Sequence, residues 1–88
     1  MPRYMVERTV DNISMESLEQ ITRRSKEVLT DMSGVRWIRS FVSEAEGKIY
    51  CEYDAPSAEL IREASRLAGL PVDRISEVSI EISPEMFR

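Results

Sequence analysis

The stretch Arg36-Trp37-Ile38-Arg39-Ser40-Phe41-Val42-Ser43-Glu44, the turn Ala45-Glu46-Gly47 and the return Lys48-Ile49-Tyr50-Cys51-Glu52-Tyr53-Asp54 constrain the chain more than any other part of it. Two β-branched and aromatic runs joined by a short glycine-containing turn predict a β-hairpin, because glycine supplies the positive φ that such a turn needs. Side chains alternate across a strand, which places Trp37, Arg39 and Phe41 on one face with Tyr50, Glu52 and Asp54. Ile38, Ser40, Val42, Ile49, Cys51 and Tyr53 share the other face, whose composition is that of a core. The first face mixes large aromatics with charges and suits a pocket or a contact surface better than open water.

The flanking segments fit around the hairpin. Arg3 to Thr9 alternates, with Tyr4, Val6 and Arg8 on one side and Met5, Glu7 and Thr9 on the other, and reads as a first strand. Ser14 is a good N-cap, with Ile13 and Leu18 at the spacing of a hydrophobic staple. Leu18, Ile21, Ser25, Val28, Leu29 and Met32 then form one helical stripe, and Gly34 is expected to stop the helix as its C′ residue. A second helix starts after Pro56 with Ser57 as N-cap, buries Leu60, Ile61, Ala64, Leu67 and Ala68, and ends at Gly69 and Pro71. The last strand runs from Ile75 to Ile82, with Val78, Ile80 and Ile82 alternating with Glu77, Ser79 and Glu81. Pro84 closes it, and Glu85 to Arg88 form a tail.

The order β-α-β-β-α-β predicts a single α+β domain over residues 1–88 with the ferredoxin-like arrangement: a four-stranded antiparallel sheet and two helices on one face. The other face is left uncovered. Alternation assigns it Met5, Glu7, Thr9, Trp37, Arg39, Phe41, Tyr50, Glu52, Asp54, Glu77, Ser79 and Glu81. Trp37, Phe41 and Tyr50 each bury on the order of 150–250 Å² when covered, so leaving them in water is unfavourable. A second copy packed sheet to sheet would cover them, and a twofold homodimer with a partly polar cavity is the expected assembly.

Composition narrows the chemistry. A chain of 88 residues buries only about 60–65% of its unfolded surface, so support from a partner subunit is reasonable. The net charge of −4 lacks the basic excess of a nucleic-acid footprint. No apolar run reaches the roughly 18–20 residues of a membrane span, and the N-terminus lacks a signal-peptide apolar segment; a cytoplasmic location is expected. The single cysteine, Cys51, cannot form an internal disulfide, and on its core-facing side it reads as a small apolar filler. There is no histidine, which removes Ser-His and Cys-His catalysis and imidazole metal ligation.

What remains is a constellation on the uncovered face. Glu7 is the candidate acid–base residue or metal ligand, with an ion pair to Arg39 or another cation as its structural role. Glu7 and Glu52 are the candidate carboxylates for a divalent metal, which twofold symmetry would double. Trp37, Phe41 and Tyr50 can line a pocket for a planar ligand or serve the dimer interface. Arg39 can clamp a small anion or pair with Glu7 or Glu52.

Pro2-Arg3-Tyr4-Met5-Val6-Glu7-Arg8, Val35 to Val42, Tyr50 to Ser57 and Ala68 to Val78 resemble a family of small bacterial ferredoxin-like proteins catalogued as a domain of unknown function, one studied member of which is a dimeric nickel-binding protein. The resemblance covers nearly the whole chain in order. It implies the same fold, a homodimer and a divalent metal of the nickel type. Arg39 stands where such relatives carry a histidine in the second strand, and Ala64 or Ser65 where they carry another in the second helix. Two functions follow as expectations: a small dimeric binding protein holding a divalent metal or a small anion on the sheet face through Glu7, Trp37, Arg39, Phe41, Tyr50 and Glu52, or a cofactor-independent enzyme of the dimeric α+β barrel type performing isomerase-, cyclase- or hydratase-like proton transfer through Glu7.

Overall fold

A computed structural model describes residues 1–87; the expected tail residue Arg88 lies outside the described residues. The elements are β1 (Arg3–Thr9), α1 (Met15–Thr30), β2 (Arg36–Ser43), β3 (Lys48–Asp54), α2 (Ala58–Leu67) and β4 (Arg74–Val78). They form one antiparallel sheet in the order β2-β3-β1-β4, which is the ferredoxin-like topology.

Local chemistry accounts for the element ends. Ser14 caps α1 through a capping box, its hydroxyl accepting from the Ser17 amide while the Ser14 amide donates to the Ser17 hydroxyl. Ile13 and Leu18, at the spacing of a staple, both pack on the core. The helix ends at Thr30, four residues before Gly34. Gly34, with φ of +92°, makes the turn into β2 instead of the helix C′ position. Gly47 has φ of +65° in the hairpin turn, and its carbonyl accepts from the Val10 amide, tying the turn to the end of β1.

The core lies between the sheet and the helices. Tyr4 and Val6 of β1, Ile49, Cys51 and Tyr53 of β3 and Ile61 of α2 are buried together with Val35 and Ala55. Cys51 is buried and free, consistent with a filler role. Among the described residues no helix is long and apolar enough to cross a membrane.

Two placements on the sheet differ from strict alternation. In β2, Trp37 pairs with Tyr53 and Arg39 with Glu52, with a bulge between them. The bulge turns Trp37 to the helix side, so the expected grouping of Trp37 with Arg39 and Phe41 does not hold. In β4, Ile75 pairs with Val6, Glu77 with Tyr4 and Val78 with Arg3. Val78 is therefore on the open face and Glu77 on the helix side, the reverse of the expected phase. The strand also stops at Val78: Arg3, the first residue of β1, is its partner, and among the described residues no strand remains to pair with Ser79 and beyond. Ile80 and Ile82 are 78% and 72% exposed.

Candidate ligand-binding site

The open sheet face brings together most of the residues expected there. Arg39, Phe41, Tyr50, Glu52 and Glu7 all lie on it, paired as Arg39 with Glu52, Phe41 with Tyr50 and Tyr50 with Glu7 across neighbouring strands. Its charges are organised in two groups. In the first, Glu52 is held between Arg3 at 2.9 Å and Arg39 at 3.4 Å, and Arg3 also engages Asp54 at 3.0 Å. Glu52 is thereby only 8% exposed although it sits on the uncovered side. Arg3, through its hydrogen bond, holds the Asp54 carboxyl below the usual carboxylate range, and Asp54 in turn raises Arg3.

The second group centres on Lys48. Its Nζ donates to Glu7 Oε2 at 3.2 Å, to Thr9 Oγ1 at 2.9 Å and to Asp73 Oδ2 at 3.4 Å. The hydrogen bond to Glu7, followed by that to Asp73, raises the Lys48 ammonium, and the Thr9 hydroxyl donating to Asp73 is the main reason the Asp73 carboxyl is lowered. The cation that pairs with Glu7 is thus Lys48, while Arg39 takes Glu52. Glu7 and Glu52 are each committed to a basic side chain, and among the described residues no group of three or more Asp, Glu, Cys or His side chains converges as a metal would need.

Trp37 belongs to a different site. Its indole Nε1 donates to Ser40 Oγ at 2.9 Å, and Ser40 Oγ donates to Cys51 Sγ at 2.9 Å. These side chains line a cavity of about 210 Å³ between α1 and the helix side of the sheet, with Leu18, Ile21, Thr22 and Ser25 from α1 and Arg8, Val42, Ile49, Tyr53 and Leu70 around them.

Arg8 is the functional-type residue that sequence reasoning passed over. It is 1% exposed. Its Nη1 donates to the Pro71 carbonyl at 2.9 Å and its Nη2 to the Tyr53 hydroxyl at 3.0 Å, while Nε has no partner. No ion pair involves it among the described residues. Taking a guanidinium from water costs several kcal/mol unless a counter-charge offsets it, and an unmade buried hydrogen bond adds about 1–3 kcal/mol. Burial pushes the Tyr53 phenol above its usual value, with Cys51 adding to this and Arg8 opposing it, so Tyr53 stays neutral and does not supply the missing negative charge. The sequence signal was available: an arginine in phase with Tyr4 and Val6 on a core-facing strand side.

Comparison with known proteins adds the following. Residues 4–78 match the model of the family described as nickel responsive protein SCO4226-like. Among solved structures, the crystal structure of SCO4226 from Streptomyces coelicolor A3(2) is similar, with 28% identity, a TM-score of 0.81, and coverage of 91% of this chain and 99% of that one. No curated protein matches significantly. The matched segment runs from the second residue of β1 to the end of β4 and so takes in the bulge, the Arg8 cavity and every charged residue of the two groups except Arg3; this chain belongs to the SCO4226-like family of nickel responsive proteins.

Proposed function

We propose that this chain is a non-catalytic binding protein that pairs with a second copy through its sheet face and holds a small anion there. The observation that carries this reading is the asymmetry of charge commitment on that face. Every carboxylate there is engaged by a base, whereas Arg39 keeps 60% of its side chain exposed and touches Glu52 through one nitrogen at 3.4 Å. The rest of its planar fork is free to take a carboxylate or phosphate oxygen. Met5, Phe41, Tyr50 and Val78 provide the apolar part of the contact, and a twofold axis would set this same face of the two copies against each other. A reducing, cytoplasmic setting suits the unpaired Cys51.

The family description supports a metal reading, and the donor set is its test. Nickel favours nitrogen and sulfur over an all-oxygen site. This chain has no histidine, its one thiol faces the helices, and Glu7 and Glu52 would have to release Lys48, Arg3 and Arg39 to bind a cation. The residues of a single chain do not fit nickel. The enzymatic alternative has less support, since its acid–base candidate Glu7 is held by Lys48.

Calorimetric titration with malonate and, separately, with nickel tests the reading. Saturable malonate binding that Arg39→Gln abolishes is expected, with no saturable heat from nickel. Saturable nickel binding that Glu7→Gln or Glu52→Gln removes would overturn it in favour of the metal.

A further inference from the structure

We propose that the cavity between α1 and the sheet is a binding site for a small monocarboxylic acid with an apolar body, whose carboxylate is received by Arg8. This goes beyond the sheet-face reading, because the two sites lie on opposite faces of the sheet and either can stand without the other.

Three features of the cavity specify the ligand. The first is charge. Arg8 cannot lose its proton in a protein, so a guanidinium that is 1% exposed remains a cation there. Its partners Pro71 O and Tyr53 Oη are neutral, and Nε is unpartnered. A water in the adjoining space of about 10 Å³ beside Arg8 would satisfy the hydrogen bond and leave the charge uncompensated. A carboxylate satisfies both. The Tyr53 phenol accepts from Arg8 and keeps a proton that Cys51 or a ligand oxygen can take.

The second is size. The cavity of about 210 Å³ exceeds the roughly 150 Å³ cavity that admits benzene. A single-ring or short-chain acid fits this range.

The third is the wall. Leu18, Trp37 and Leu70 line the same cavity as Arg8, and an inorganic oxyanion, which needs donors on several sides, would lose its hydration against them. An acid with a hydrocarbon body loses none there and gains by burying it.

Trp37 is the only tryptophan and lines the cavity, so its fluorescence reports occupancy. The test follows Trp37 emission and thermal melting during titration with benzoate and hexanoate, with benzamide and inorganic phosphate as controls. Benzoate or hexanoate should give a saturable emission change and a higher Tm, and benzamide should bind about tenfold or more weakly because it lacks the charge. Arg8→Met, which exchanges the buried cation for a side chain of similar length, should lose the response. Thr22→Leu, which fills the cavity and leaves Arg8 in place, should lose it too and decides the matter if Arg8→Met does not fold. Arg39→Gln should keep the benzoate response, which separates this site from the one on the sheet face. The proposal is overturned by no response to either acid at millimolar concentration, by equal responses to benzoate and benzamide, by a response that survives Thr22→Leu, or by one that Arg39→Gln removes.

Discussion

Trp37 stands opposite Tyr53 across the β2–β3 ladder, and the next paired residue of β2, Arg39, stands opposite Glu52, which leaves Ile38 as the extra residue of a bulge. This one irregularity divides the aromatic and charged residues of the hairpin between two faces. Trp37 joins Arg8, Ser40, Cys51 and Tyr53 around the cavity under α1, and Arg39, Phe41, Tyr50 and Glu52 stay on the open side.

Trp37→Ala should therefore destabilise the monomer fold itself, by about 2 kcal/mol, below the usual range for a fully buried aromatic because Trp37 is only half-buried. Urea unfolding followed by circular dichroism measures it. Phe41, 55% exposed on the other face, should tolerate Phe41→Ala within about 0.5 kcal/mol when measured at a concentration where the chain is monomeric.

Acid stability depends on the Arg3–Asp54 pair. Asp54 has a lower pKa folded than unfolded, owing first to its hydrogen bond with Arg3, so the stability it contributes is present above the ordinary carboxylate pKa and is lost as pH falls through its folded value. Arg3→Gln should shift the acid unfolding midpoint upward and leave the alkaline limb unchanged. An unaltered acid midpoint would show that this half-buried pair contributes nothing measurable.

Tyr53 acts at the other end of the pH range. Its phenol is raised above 10.0, chiefly by burial, so its contribution is complete below that pH and is lost as pH rises through the folded value. Tyr53→Phe should abolish this alkaline loss. At neutral pH the same variant takes away the acceptor of Arg8 Nη2 and should cost about 1–3 kcal/mol.

The element order, the caps at Ser14 and Ser57, the Gly47 turn and the placement of most of the open-face residues were legible in the sequence, because each follows from a short-range periodicity or a single residue's backbone preference. The bulge at Ile38 was not. No glycine marks it, and every residue around it suits an unbroken strand, so only the cross-strand register with Tyr53 and Glu52 shows it. The phase of β4 was misleading for a related reason. Val78, Ile80 and Ile82 alternate more regularly than Ile75 does with its neighbours, yet β1 offers partners only as far as Arg3, and packing of Ile75 beside Val6 sets the phase. Arg8 was placed on the correct side by alternation. Its significance depends on what surrounds it, which periodicity does not encode.

Lys48 illustrates the same limit on the open face. It was expected only as the first residue of a strand, and it proves to be the cation that holds Glu7, Thr9 and Asp73. Lys48→Met should free Glu7 and Asp73 together. Nickel or another divalent cation should then bind more tightly to the variant than to the parent chain, as read by calorimetry, if competition from Lys48 is what excludes a metal from these carboxylates.

On the proposed reading a second copy completes the open sheet face. Sedimentation equilibrium of the chain and of its Phe41→Glu variant decides whether it does. A particle of twice the chain mass is expected for the parent and a folded monomer for Phe41→Glu, because a charge replaces an apolar side chain that is 55% exposed on that face. A parent chain that remains monomeric at high micromolar concentration, or a dimer that Phe41→Glu leaves intact, would contradict it.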